Sequence, residues 1–302
     1  MRSSYAMKVS IVIPNYNGRE FLETNLPSII SAQYNPKNKI FEIVIVDDRS
    51  TDESVSYLNN KYKNIIRLIK HTKNRGFSAT VNTGVRSTTG DFICLLNTDV
   101  LPSTNFLELV LDSFRDEKVF AVSLHEKNYG PARGYFEDGF IQISSKKESK
   151  EIENSFYVSG GSGVFRKSIW QELGGLDEKL LSPFYWEDID ICFRAAKRGY
   201  LNLWNPFGRV VHNHESTISK LSKKYIERVR ERNQLLMLWK NLHSKAMFEK
   251  HLNGLFKRIL KNPRYLRIIL MSLFKLGLVI KARRKEIKEC IVSDEAVFQK
   301  YQ

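Results

Sequence analysis

The chain has 302 residues, 42% of them hydrophobic, which is enough for one large α/β domain with an appended element and too apolar for a disordered protein. Its formal net charge of +15 sits at one end, since residues 217–302 hold 21 Lys or Arg against 7 Asp or Glu while residues 1–216 hold 27 against 26. Cys94, Cys192 and Cys290 stand far apart with no Cys-x-x-Cys pair, which argues against a zinc or disulfide framework and for a reducing, cytoplasmic compartment.

A basic end on a nearly neutral body suggests an element that faces nucleic acid, anionic lipid or an acidic substrate. Residues 1–8 are short and polar, and the apolar run that follows, 9–13, is only strand-sized, so no cleavable signal is expected.

In chain order, 9–13 reads as a first strand, stopped by Pro14-Asn15-Tyr16-Asn17-Gly18, and 20–32 as a helix interrupted by Pro27. A second strand, 41–46, runs into Asp47 and Asp48, and a helix follows over 51–62. A short strand at 65–69, the turn Asn74-Arg75-Gly76-Phe77, a helix at 78–85 and an apolar strand at 92–96 complete three strand-helix alternations. That alternation predicts a doubly wound, mostly parallel sheet flanked by helices. The dinucleotide fingerprint Gly-x-Gly-x-x-Gly is missing after the first strand, which disfavours a nicotinamide or flavin enzyme. Strands ending in Asp47 and Asp99 instead bring carboxylates to the edge where such sheets bind ligands.

Further on, 119–124 reads as a strand, and the polar stretch to about 155 as loops or a hairpin lining a cleft. Ser159-Gly160-Gly161-Ser162-Gly163 either brings backbone close to a ligand or only bends the chain. A helix opens at Tyr185-Trp186-Glu187-Asp188 and runs to 198, with Asp190 and Arg194 spaced for an ion pair. Strands at 201–204 and 209–211 end in His212-Asn213-His214. An isolated Asp188 would read first as a helix cap, but the other acids shift that balance. Hard divalent cations take oxygen ligands, sometimes with one imidazole, and Asp99 and His212 suit that role. Trp186 is suited either to stacking on the apolar face of a ligand or to the core.

The blocks Val9 through Asn17, Val46-Asp47-Asp48-Arg49-Ser50-Thr51-Asp52, Asn74-Arg75-Gly76-Phe77, Leu96-Asn97-Thr98-Asp99, Gly174-Gly175-Leu176-Asp177-Glu178 and Glu187 through Arg194 fall in the order seen in family 2 glycosyltransferases. The chain resembles these inverting enzymes of the GT-A fold over residues 8–245, and most resembles their bacterial rhamnosyltransferase-like branch, including Arg232-Asn233-Gln234-Leu235-Leu236 and Trp239-Lys240-Asn241. The resemblance implies a GT-A catalytic domain over 8–216 and a basic helical extension over 217–302. It implies that Asp47 binds the base of a UDP-, dTDP- or GDP-linked sugar donor, with Pro14, Tyr16, Arg75, Gly76 and Asn97 completing the nucleotide pocket. Asn97-Thr98-Asp99 stands for the family's Asp-x-Asp motif with a neutral first member, so Asp99, helped by His212, would hold Mn²⁺ or Mg²⁺, with His214 as the fallback and Ser216 at the expected spacing. Asp188 is implied as the general base, with Trp186 and Glu187 on the acceptor side.

The run 266–280 is too short and too charged to span a bilayer. With the basic residues of 257–288 it reads either as a helix lying on an anionic membrane surface or as one packed on the catalytic domain with a solvated basic face. Membrane contact would suit a glycan or lipid-linked acceptor used in cell-surface polysaccharide synthesis at the cytosolic face. The competing class is a non-catalytic basic α/β protein that binds membrane or nucleic acid. Against nucleic acid, the basic residues are interleaved with aliphatic ones and no nucleic-acid motif occurs.

Overall fold

The computed structural model describes residues 7–213 and 221–302, so His214 and Ser216 lie outside the described residues. The first half alternates as expected: β1 (Val9–Asn15), α1 (Arg19–Gln33), β2 (Ile40–Asp47), α2 (Ser54–Tyr62), β3 (Arg67–Lys70), α3 (Phe77–Ser87) and β4 (Phe92–Leu96). There follow β5 (Val100–Pro102), β6 (Val119–Glu126), the hairpin β7 (Ala132–Glu137) and β8 (Phe140–Ser145), β9 (Glu153–Asn154), β10 (Ser162–Arg166), α4 (Lys167–Leu173), α5 (Glu187–Lys197) and β11 (Leu201–His212). The C-terminal part is helical: α6 (Lys223–Asn241), α7 (Lys245–Lys261), α8 (Leu266–Leu273), α9 (Leu276–Glu289) and α10 (Asp294–Lys300).

Among the described residues the main sheet runs β3-β2-β1-β4-β10-β6-β11-β5, with β9 paired to β11. The expected parallel arrangement holds for β3-β2-β1-β4 and for β6 with β11. β10 enters antiparallel between β4 and β6, and β5 and β9 are antiparallel to β11. Two-sided burial explains the apolar runs. Ile11, Ile13, Ile43 and Ile45 join Leu22, Leu26 and Leu58 of α1 and α2 on one face, whereas Val12, Ile93 and Leu95 join α3, α4 and α5 on the other.

The two short strands expected at 201–204 and 209–211 are one twelve-residue strand, β11. Its register shifts between Trp204 and Arg209, where Pro206 and Gly208 lie, so one strand pairs with β6 on both sides of the shift, with β9 before it and with β5 after it. That irregularity sets His212 opposite Val100, next to Asp99.

The C-terminal helices are not a free appendage. Phe140, Ile141, Trp186 and Phe193 share a core cluster with Leu235, Leu238, Leu255, Val279 and Phe298. His251 Nδ1 lies 2.7 Å from the carbonyl of Gly139, and Gln234 Nε2 donates to the carbonyl of Ile141 at 2.8 Å, so α7 and α6 hold the hairpin. The single helix expected over 266–280 is divided into α8 and α9 at Phe274 and Lys275. Lys275 Nζ donates to the carbonyls of Lys179 and Leu180 at 2.6 and 3.0 Å, a tertiary tie at the break.

Candidate active site

Asp47 ends β2 with its carboxylate already engaged: Asn15 Nδ2 donates to Oδ1 at 2.8 Å, and Ser50 donates through its N–H at 2.9 Å and its hydroxyl at 2.5 Å. Asn15 is the register partner of Asp47, so two adjacent parallel strands bring both side chains to one carboxyl edge. Pro14 and the 40% exposed Tyr16 flank Asn15 on that edge.

Asp48 organises the next loop. Its carboxylate accepts the N–H groups of Arg75 (2.8 Å) and Gly76 (2.8 Å) and lies 2.7 Å from His71 Nδ1. Gly76 has φ +83°, and a Cβ there would meet the Pro183 carbonyl oxygen at 3.1 Å, so the turn needs glycine twice over. Arg75 reaches Glu178 at 3.1 Å. The loop bound by Asp48 thereby touches the segment that leads to α5.

The glycine turn at 159–163 joins the remaining groups. Gly161 accepts the N–H of Asn97 at 2.9 Å, and a Cβ on it would lie 2.5 Å from Asn97 Nδ2. Gly160 N–H points to Asp188 Oδ2 at 3.3 Å. Ser162 donates to Glu126 Oε1 at 2.6 Å, Glu126 lies 3.0 Å from His212 Nδ1, and His212 Nε2 lies 3.2 Å from Asp99 Oδ1. Asp99, Asp188, His212 and Asn97 are thus linked through five consecutive residues.

Asp188 lies in the first turn of α5, whose entry is strained: Tyr185 and Trp186 both have positive φ, 71° and 75°. Burial pushes the Asp188 carboxyl above the ordinary carboxylate range, against the opposing N–H bonds from Gly160 and Ile189. Burial, and after it the charge of Asp188, hold Glu187 well above that range, and Glu187 Oε2 is buried without a hydrogen-bond partner among the described residues. Trp186 is only 8% exposed and packs in the C-terminal core, with its edge on a small cavity beside Ile141 and Gln142. Burial opposes the charge on His212, but the hydrogen bonds to Asp99 and Glu126 prevail and raise its pKa to about 9.

The residues fit a divalent cation in their chemistry. Asp99 Oδ2 is buried with no hydrogen-bond partner among the described residues, and carboxylate oxygens with one imidazole make a hard donor set. Among the described residues no group of three or more His, Cys, Asp or Glu is already gathered as a ligand shell. Sequence reasoning missed Glu126 and Ser162. Glu126 carries the same sign as Asp47, an acid closing an apolar strand, but a polar stretch follows it.

The family described as Glycosyl transferase family 2 matches residues 10–174. The chain belongs to this family. The pre-mycofactocin glycosyltransferase of Mycobacterium tuberculosis is 28% identical over 222 residues, which cover 70% of this chain and 43% of that protein, so this chain spans less than half of that relative. Among solved structures, that of GalNAc-T7 with UDP, GalNAc and Mn²⁺ superposes with a TM-score of 0.62 at 15% identity, covering 87% of this chain and 57% of the other. The mannosyltransferase PcManGT from Pyrobaculum calidifontis, in complex with GDP-Man and Mn²⁺, gives 0.57 at 20% identity, covering 91% and 76%. The fold of this family 2 chain is therefore GT-A, a mixed sheet flanked by helices with a helical C-terminal region.

Proposed function

We propose that the chain is a glycosyltransferase that moves a sugar from a nucleotide-diphosphate donor to an acceptor hydroxyl with inversion, as the resemblance to the rhamnosyltransferase-like branch implies. The observation that carries this reading is the turn at 159–163, which ties Asp188 to Asn97 and to the Asp99–His212–Glu126 chain. Family membership and neighbours solved with UDP or GDP-Man support a UDP-, dTDP- or GDP-linked donor.

In this reading Asp47, Asn15 and Ser50 form the floor of the nucleotide pocket, with Pro14, Tyr16, Arg75, Gly76 and Asn97 around it. Asp99 and His212 are the residues to hold Mn²⁺ or Mg²⁺, which when bound supplies neutralisation of the charge growing on the leaving diphosphate. Asp188 takes the proton of the acceptor hydroxyl as its oxygen bonds to the anomeric carbon. The bond to the donor phosphate breaks on the opposite side, and its electron pair leaves with the nucleoside diphosphate. A raised carboxyl suits this step, because a base titrating nearer the working pH transfers the proton with less mismatch. Glu187, whose carboxyl burial and then the Asp188 charge hold well above its ordinary range, lies on the acceptor side with Trp186.

The catalytic unit is read as 8–216 and the extension as 217–302. Leu252, Phe256 and Leu260 recur at four-residue spacing on α7, and Phe274 is 91% exposed, amid Lys257, Lys261, Lys281 and Arg284. These features support contact of 257–288 with an anionic membrane surface on the cytosolic side, where a glycan or lipid-linked acceptor for surface polysaccharide would be met. No helix of the described residues is long and apolar enough to cross a membrane. A non-catalytic basic protein is the weaker reading, because such a protein has no use for an acid beside each of these turns.

The test is a panel of UDP-, dTDP- and GDP-sugars in thermal-shift assays with and without Mn²⁺. One donor class should stabilise the protein in a metal-dependent way that Asp99→Asn abolishes, and stabilisation by none of them would refute the reading.

A further inference from the structure

A cavity of about 690 Å³ opens between α6, α7 and the turn that starts α8, lined by Lys224, Arg228, Glu231, Arg258, Arg264 and Arg267 among others. Lys224, Arg228 and Glu231 follow one another at helical spacing on a single face of α6. Among the described residues, no carboxylate lies within ion-pair distance of Lys224, Arg228, Arg264 or Arg267. Arg258 is the exception, since it pairs with Glu231 at 2.7 Å and lies over the Phe140 ring at 3.5 Å.

That fixed pair is also a wall of the smaller cavity, of about 290 Å³, which is lined further by Trp186, Arg230 and Gln234. The two cavities therefore adjoin across Glu231 and Arg258, and the smaller one reaches a residue two positions from Asp188. Glu227 also lines this surface, so its cations are set against two carboxylates, and the remaining excess of positive charge on one concave surface suits a multiply charged, oxygen-rich anion.

We propose that this basic groove is an acceptor subsite that binds a phosphate or diphosphate group carried by the acceptor, with the nucleophilic hydroxyl extending past Trp186 toward Asp188. The inference rests on the glycosyl-transfer reading for its use, but the groove binds the anion in its own right. Arg264 and Arg267 grip the phosphate oxygens, Arg228 and Lys224 close the opposite side, and the Arg258–Glu231 pair keeps the wall rigid.

The experiment is titration of the full chain with inorganic pyrophosphate by calorimetry, in EDTA so that metal-assisted binding at Asp99 is silent. The wild type should bind, Asp99→Asn should bind equally, and Arg264→Gln/Arg267→Gln should lose about tenfold in affinity, as expected for lost charge-assisted hydrogen bonds. Lys281→Gln/Arg284→Gln, which removes two exposed charges elsewhere in the extension, should change little. No binding by the wild type, an equal loss in both double variants, or a loss in Asp99→Asn alone would overturn the proposal. Displacement of pyrophosphate by phosphatidylcholine vesicles carrying farnesyl diphosphate would support the site with a lipid diphosphate as its source, and displacement only by a soluble phosphodiester polymer would support it with a glycan phosphate. Loss of donor binding in the panel above, with pyrophosphate binding retained, would count against the transfer reading and not against the groove.

Discussion

Asn233 of α6 donates its side-chain amide to the carbonyl of Tyr185 at 3.0 Å, and the same nitrogen lies 2.6 and 2.9 Å from the carbonyls of Leu181 and Phe184. A residue of the C-terminal helices thus holds the loop whose two left-handed residues aim Asp188. Asn233 is a positioning residue in this account. Asn233→Ala should lower kcat by about tenfold to a hundredfold, the range expected for misplacing a reacting group by around an ångström. The donor dissociation constant should stay unchanged, and a larger effect on donor binding than on kcat would contradict the role.

Asp190 is fully buried and accepts from Arg194 at 2.8 Å, Lys240 at 2.9 Å and Asn241 at 2.7 Å, and its pKa is held down to about 2 by the Arg194 and Lys240 charges against the cost of burial. Asp190→Ala leaves two cations buried without this carboxylate. It should cost about 3–5 kcal/mol of stability in denaturant unfolding. A loss near zero would mean that the network is relaxed by water.

His243 is held down to about 4 by burial and then by the charge of Lys197, whose ammonium lies 2.9 Å from Nδ1. Its folded pKa lies below the ordinary 6.5, so between those values the unfolded chain binds more protons and stability falls as pH falls. Asp190 extends the loss below its ordinary 3.8, toward 2. Unfolding midpoints should decline from about pH 6.5 downward, and also as pH rises from 6.5 toward 9, where the folded chain holds the His212 proton that the unfolded chain has lost; His243→Gln should flatten the first part of the acid-side decline alone. An unchanged slope in the variant would exclude His243 as its source.

Truncation of the tail is a poor test of membrane contact, because Val279, Val297 and Phe298 belong to the core shared with Trp186. Phe256→Glu and Phe274→Glu alter exposed side chains instead. Flotation with phosphatidylglycerol vesicles should fall severalfold in the double variant and weaken with salt for the wild type. Equal flotation of both proteins would remove the membrane from the account.

The strands leading to Asp47 and Asp99 were legible because a strand buried on both faces is written as an unbroken apolar run, and the acid at or just after its end stands out. What escaped depends on distant partners. The hold of Asn233 on Tyr185 crosses 48 residues, and the division of 266–280 coincides with a bond between Lys275 and the carbonyl of Lys179 that no local pattern signals. α10 has only seven residues and is docked by Asp294, which meets Lys197 and the N–H groups of His243 and Ser244. The bulge in β11 interrupts the alternation of apolar residues, so one strand read as two.

The most direct measurement is single-turnover transfer by Asp188→Asn beside its affinity for the donor nucleotide. A fall in transfer of about a hundredfold or more is expected, the typical contribution of a general base, with donor affinity within twofold or so of the wild type, because the hydrogen bonds of Asp188 are to the N–H groups of Gly160 and Ile189 and not directly to Asp47 or Asp99. Transfer at the wild-type rate would contradict it.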